Sequence, residues 1–209
     1  MQRYTTIGLL SAIVLSVGIL GVYGFTSMPS TLKAQSDTQN MGAVPMLGHV
    51  TLTVTDPQGN ILAYHQGDNV VVNQAEDCLS AKVFGIASPQ CSVSGSSAVY
   101  NVIAIGNASS PSATKTDTGL TTEITNAGLG RATAGTQSET DATGGAPVSD
   151  VLQQQFTNIG GTHTITEAGL FNSTSVSATK GMFAHQVFTG IALNTGDSLT
   201  VKWTITMGT

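Results

Sequence analysis

The sequence predicts a mainly β protein: an antiparallel, jelly-roll-like β-sandwich with one short helix, preceded by an N-terminal transmembrane or signal helix. Three observations predict it. The last stretch, Asp197–Thr209, alternates apolar and polar side chains without a fault. Charged residues are only 9% of the chain, so its polar surface is made of Thr, Ser, Asn, Gln and Gly. Such surfaces suit strands and turns rather than helices built on Glu and Lys. The longest uncharged run stands apart from the alternating segments, at the N-terminus. The expected organisation is a signal-anchor or signal peptide helix over 1–25, a linker over 26–47 and an extracellular sandwich over 48–209.

In the final stretch Leu199, Val201, Trp203, Ile205 and Met207 share one parity, and Ser198, Thr200, Lys202, Thr204 and Thr206 share the other. Successive strand residues face opposite ways, so one face is apolar and one is wet. Burying five such side chains is worth roughly 8–15 kcal/mol gross, most of it offset by ordering entropy. Such a strand needs a second sheet to cover it. Trp203, the only Trp, reads as core.

Ile7–Phe25 is nineteen residues without a charge, eleven of them Leu, Ile, Val or Phe. As a helix it would be about 28 Å long, close to a bilayer's hydrocarbon thickness. Arg3 ahead of it and Lys33 well behind it favour an inside N-terminus and an exported remainder. The run is long for a cleaved signal and lacks an Ala-x-Ala site, which favours a retained anchor. The expected locations are the cell membrane, with the C-terminal domain outside, or the exterior after cleavage. The expected partners are the membrane, through this helix, and the chain itself. Thr26–Val44 is polar, contains Pro29 and lacks periodicity, which makes it a linker.

Gly48–His65 reads as a hairpin around the turn Asp56-Pro57-Gln58-Gly59. Asn73, with Glu76 three residues on, predicts a helix N-cap, and Ala75, Leu79 and Val83 predict its buried face. Gly85 predicts its end. Cys78 on that helix and Cys91 in the loop after it predict one disulfide in an oxidising compartment, worth roughly 3 kcal/mol. Val99–Gly106, Leu120–Ile124, Val151–Thr157, Thr162–Phe171 and Met182–Phe188 are further strand candidates, and Ala127–Pro147 reads as a long exposed loop.

Several of these pieces resemble a structural module of tail and tail-fibre proteins of tailed phages. They are NVVVNQAEDCLSAKVFG at 69–85, VIAIGNASSPSATKTDTGLTTEI at 102–124, ITEAGLFN at 165–172, MFAHQVF at 182–188 and GDSLTVKWTITM at 196–207. The order of the pieces matches across 69–209. The resemblance implies an all-β structural domain without catalytic residues. The N-terminal hydrophobic segment, the cysteine pair and the hairpin 48–65 depart from that module and point to a tethered or secreted surface version.

The formal net charge is −5 and no basic cluster occurs, which argues against binding nucleic acid through its phosphates. His49, His65, His163 and His185 are scattered, and His185 shares its parity with Phe183 and Val187, which predicts a satisfied core histidine. Glu167 is a lone acid in the apolar run ITEAGLF. It reads as a carboxylate accepting backbone N–H bonds at a strand corner; the sharper alternative is a covalent cross-link to a buried Lys or Asn. No catalytic, cofactor-binding or metal-ligating constellation is recognisable, so an enzyme is not expected. Asn107 and Asn172 open sequons in predicted loops and are glycosylation candidates. The expected function is a non-enzymatic surface protein, a filament, appendage or adhesion subunit. A secreted carbohydrate- or ligand-binding module and a virion tail-like structural protein are the alternatives.

Overall fold

A computed structural model describes residues 45–88, 91, 99–176 and 181–208. The N-terminal hydrophobic segment and nearly all of the linker lie outside the described residues. Among the described residues no helix is long and apolar enough to cross a membrane.

Ten strands and one helix are found among the described residues. Sheet A holds β1 (Met46–Thr55), β2 (Ile61–Asp68), β6 (Thr136–Thr140), β7 (Val148–Thr157) and β10 (Ser198–Met207), in the order β2-β1-β10-β7-β6. Sheet B holds β3 (Val70–Val71), β4 (Val102–Gly106), β5 (Ala132–Thr133), β8 (His163–Phe171) and β9 (Met182–Leu193), in the order β3-β9-β8-β4-β5. Every pairing is antiparallel. The helix α1 (Asn73–Phe84) follows β3 directly. Two antiparallel sheets and one short helix fit the expected β-sandwich.

The alternation of β10 places it at the centre of sheet A, and its register carries the two faces sideways. Val50, Trp203 and Leu152 form one apolar row; Val54, Leu199 and Phe156 form another. Trp203, Leu199, Val201, Val50, Leu52 and Val54 are all fully buried. The opposite parity makes a wet face of hydroxyls and amides, in rows such as Thr53–Thr200–Gln155 and Thr51–Lys202–Gln153–Thr136. Sheet B has no such wet strand at its centre. All five residues of β4 are buried, so this strand reads as a continuous apolar run. Ile103, Ile105, Ile165 and Leu170 join the residues of sheet A in one core.

Several local expectations need correcting. The residue flanking α1 is Val72, not Asn73, and it makes no side-chain cap bond. The cause is the preceding strand: Val72 N–H bonds Phe183 O, and Asn73 N–H bonds Lys115 O at 2.8 Å. The N–H groups of Ala75 and Glu76, which an Asn73 cap would meet, reach Val72 O instead, at 3.0 and 3.4 Å. The buried face of α1 is Ala75, Cys78 and Ala81, while Val83 is 74% exposed. The disulfide to Cys91 holds the Cys78 side inward. Gly85 ends the helix in the left-handed region, φ 67°, as expected. The stretch 127–147 is not one loop, because it contributes β5 and β6. Leu120–Ile124 contributes a single bridge, Gly106 to Glu123, rather than a strand. The long connection 107–121 is laid against sheet B, where Thr166 Oγ1 donates to Ala108 O at 2.8 Å.

Candidate functional site

The densest meeting of ionisable groups is on sheet B, beneath that connection. Glu167 sits just after a register shift in β8, opposite Gly106 of β4 and Val187 of β9. His185 lies two residues before Val187, opposite Gly169. This diagonal offset brings the imidazole to the carboxylate, with His185 Nε2 3.1 Å from Glu167 Oε2. On its other side, His185 Nδ1 is 2.7 Å from Asp117 Oδ2. Both partners are carboxylates, so these contacts favour the imidazolium, the form in which both ring nitrogens donate. The side chains of His185 and Glu167 are 1% and 0% exposed, and that of Asp117 is 19% exposed.

The carboxylates also hold backbone. Glu167 accepts the N–H of Thr121 at 3.0 Å and that of Thr122 at 2.8 Å. Asp117 accepts the N–H and the hydroxyl of Thr114, closing its own turn. Gly106 leaves the room this needs: a Cβ there would stand 2.5 Å from Glu167 Oε1 and 2.6 Å from Thr122 O.

The proton affinities follow from these contacts. Burial alone would push the Glu167 carboxyl up, but the bonds from His185, Thr122 and Thr121 and the imidazolium charge hold it below its usual value. Burial likewise works against the charged Asp117, and the bonds from Thr114 and His185 overcome it, so it too is lowered. For His185 burial favours the neutral ring, yet the bonds to Glu167 and Asp117 and their charges win, and its affinity for a proton is raised. The cluster is a clamp between β8, β9 and the connection 107–121. An imidazolium with both N–H groups engaged has no lone pair for taking a proton from a substrate.

A second buried pair lies near the end of β8. Arg131 Nε and Nη2 reach Glu123 at 2.6 and 2.9 Å, and Nη1 donates to Ser173 O at 3.1 Å and Ser175 O at 3.2 Å. The guanidinium lies 3.8 Å from the centre of the Phe171 ring. This is the planar, stacked and bidentate use that Arg suits and Lys does not.

Between the two sheets is a cavity of ≈ 510 Å³, lined by Leu79, Tyr100, Leu152, Leu170, Phe183 and Ile205, with Glu139 and Asp150 among its walls. Burial pushes the Tyr100 hydroxyl up to about 12, and among the described residues it has no hydrogen-bond partner.

Of the residues singled out in the sequence, Cys78 and Cys91 form the expected disulfide. Asn107 is exposed just after β4. Asn172, just after β8, is 2% exposed and packed inside rather than on an exposed loop. Glu167 does accept two backbone N–H bonds; its partners are Thr121, Thr122 and His185, not Lys or Asn. Among the described residues no group of three or more His, Cys, Asp or Glu side chains is placed to hold a metal ion. Asp117, Glu123 and Arg131 were not expected at a site. Each lies in a turn-rich stretch; Asp117 meets His185 68 positions away, whereas Glu123 and Arg131 meet across eight, and the one local signal is the Thr-Lys-Thr-Asp-Thr-Gly turn around Asp117.

Comparison with protein families, with curated proteins and with solved structures finds no match to this chain.

Proposed function

We propose that the chain is a structural surface subunit: an exported β-sandwich, tethered to a membrane by its N-terminal helix, that serves as a filament, appendage or adhesion component. The observation that carries this reading is how the chemistry is distributed. The ionisable groups that meet on sheet B are spent on one another and on backbone, under a covering segment. The broad wet face of sheet A is an array of hydroxyls and amides. A disulfide in a chain with only two cysteines suits an oxidising exterior. The uncharged run Ile7–Phe25 supplies the tether, and the resemblance to phage tail modules supports a virion tail-like variant of the same structural role.

Protease added to intact cells tests the reading. Residues 45–209 are expected to be digested or released from intact cells, and a cytoplasmic marker to be spared. A chain protected until lysis overturns the export.

The cavity between the sheets favours a second reading, a binding module for a small ligand. It has an apolar lining and a buried Tyr100 hydroxyl without a partner. Tyr100→Phe would then weaken binding of a soaked ligand and leave the fold intact.

A further inference from the structure

The cavity between the sheets has walls of two kinds. Leu152, Leu170, Phe183 and Ile205 give it apolar sides, and the Tyr100 ring stands against Phe183 with centroids 5.1 Å apart. Glu139 and Asp150 give it two carboxylates. These two residues are directly opposed between β6 and β7, and Asp150 is opposed in turn to the buried Ile205 of β10. The row puts both acids on the parity that faces the other sheet. Glu139 is exposed and Asp150 half-buried, so the charge stands where the cavity meets solvent. Directly opposed side chains have Cβ atoms about 4.5–5.5 Å apart, and like charges so placed destabilise a sheet. Among the described residues neither carboxylate has an ion-pair partner: Lys115 is paired with Glu76 and Arg131 with Glu123, and Lys202 lies on the wet parity of β10. Guarding an edge explains only half of this arrangement. An inward charge on the edge strand β6 discourages pairing with another sheet, but β7 is an inner strand, and Asp150 guards nothing there. A metal ion does not explain it either. Calcium takes about six to eight oxygen ligands, and among the described residues no third His, Cys, Asp or Glu joins the two.

We propose that this cavity binds a small organic ammonium ion, with its apolar body against Leu152, Leu170, Phe183 and Ile205 and its ammonium group between Glu139 and Asp150. The inference rests on the second reading above, a module for a small ligand, and names the class of that ligand. Complementarity of charge selects the occupant. A cation between the two carboxylates replaces one repulsion by two attractions. An ammonium also brings N–H donors to oxygens that only accept, and such charge-assisted bonds are the strong ones. The volume of ≈ 510 Å³ falls within the range of about 300–1,000 Å³ that small-molecule sites occupy. A neutral apolar molecule gains nothing from the acids, and a hydrated metal ion gains nothing from the leucines.

The test is equilibrium dialysis of the full chain in detergent, blanked against detergent alone, with phenethylammonium chloride and its neutral isostere phenethyl alcohol. The ammonium is expected to bind about tenfold or more tightly than the alcohol. Asp150→Asn and Glu139→Gln are each expected to weaken the ammonium about tenfold and to leave the alcohol unchanged. The double variant is relieved of the repulsion, so without ligand it is expected to melt no lower than the parent, which separates a lost site from a lost fold. Tyr100→Phe removes a hydroxyl and no charge, so it is expected to weaken both ligands alike and reports on the small-ligand reading alone. Equal affinity for the two ligands, or carboxylate variants that hold the ammonium as the parent does, overturns this inference and leaves that reading standing. Binding of neither ligand overturns both. Displacement of the ammonium by an equal concentration of calcium chloride also overturns the inference, because the acids then serve a metal. Tighter binding of lysine amide acetylated on its α-nitrogen overturns it as well, because the cation then comes from a protein chain.

Discussion

Replacing His185 with Leu leaves the Glu167 carboxylate buried beside backbone donors and without its counter-charge. Breaking a buried ionic network from one side costs about 3–5 kcal/mol, and urea unfolding of His185→Leu should show a loss of that order. Gly106→Ala tests the same place from the opposite strand. Its Cβ would meet both Glu167 Oε1 and the backbone oxygen of Thr122. Because a backbone atom cannot swing away, a loss of about 1–3 kcal/mol is expected in the same assay. The pH dependence has two limbs of opposite sign. Glu167 and Asp117 are lowered in the folded state, so their contribution is present above the unfolded carboxylate range, about 4, and is lost as pH falls through the folded values. His185 is raised, so its contribution is full below the unfolded value of about 6.5 and is lost as pH rises through the folded one. Stability should therefore peak between about pH 4.5 and 6.5. Melting temperatures taken across pH 3–9 check this, and His185→Gln should flatten the alkaline limb. At this scale the sequence was partly legible. Glu167 stood out as an acid in an apolar run, and His185 shared the parity of Phe183. Asp117 did not stand out, because an Asp between two Thr before a Gly is what any turn contains. Its link to His185 spans 68 positions, and periodicity carries no signal at that range.

Among the elements, β10 was the most legible and is the most central. Both of its faces have a definite environment, core on one side and water on the other, so its alternation is clean. Trp203→Ala should cost about 3–5 kcal/mol by urea unfolding. Trp203→Phe should cost less than about 1.5 kcal/mol, because the indole N–H bonds nothing among the described residues. β6 was missed for the opposite reason: all five of its residues are exposed, so no apolar parity exists to read. On α1 helical spacing selects Ala75, Leu79 and Val83: Ala75 is buried and Leu79 packs against the core, but Val83 is exposed, and the bond from Cys78 to Cys91 brings Cys78 inward in its place. Cys78, Ala81 and Cys91 form a small cluster separate from the main core. Reducing the disulfide is accordingly expected to remove roughly 3 kcal/mol. The far-ultraviolet circular dichroism of the two sheets should survive at moderate temperature.

At the scale of the whole molecule, sheet B is closed over by the connection 107–121, whereas sheet A turns a broad hydroxyl face to water. The two-sheet architecture was legible because turn signals separate short alternating runs along most of 48–209. The pairing order was not, since β1 and β10 come from opposite ends of the domain and meet only through their shared parity. A closed buried network and an open polar face are the observations that support the proposed surface role. Electron microscopy of whole cells of the source organism, labelled with gold through an antibody to residues 45–209, tests it most directly. Gold is expected on the outer surface or on appendages of unpermeabilised cells. Gold found only in the interior after permeabilisation would contradict it.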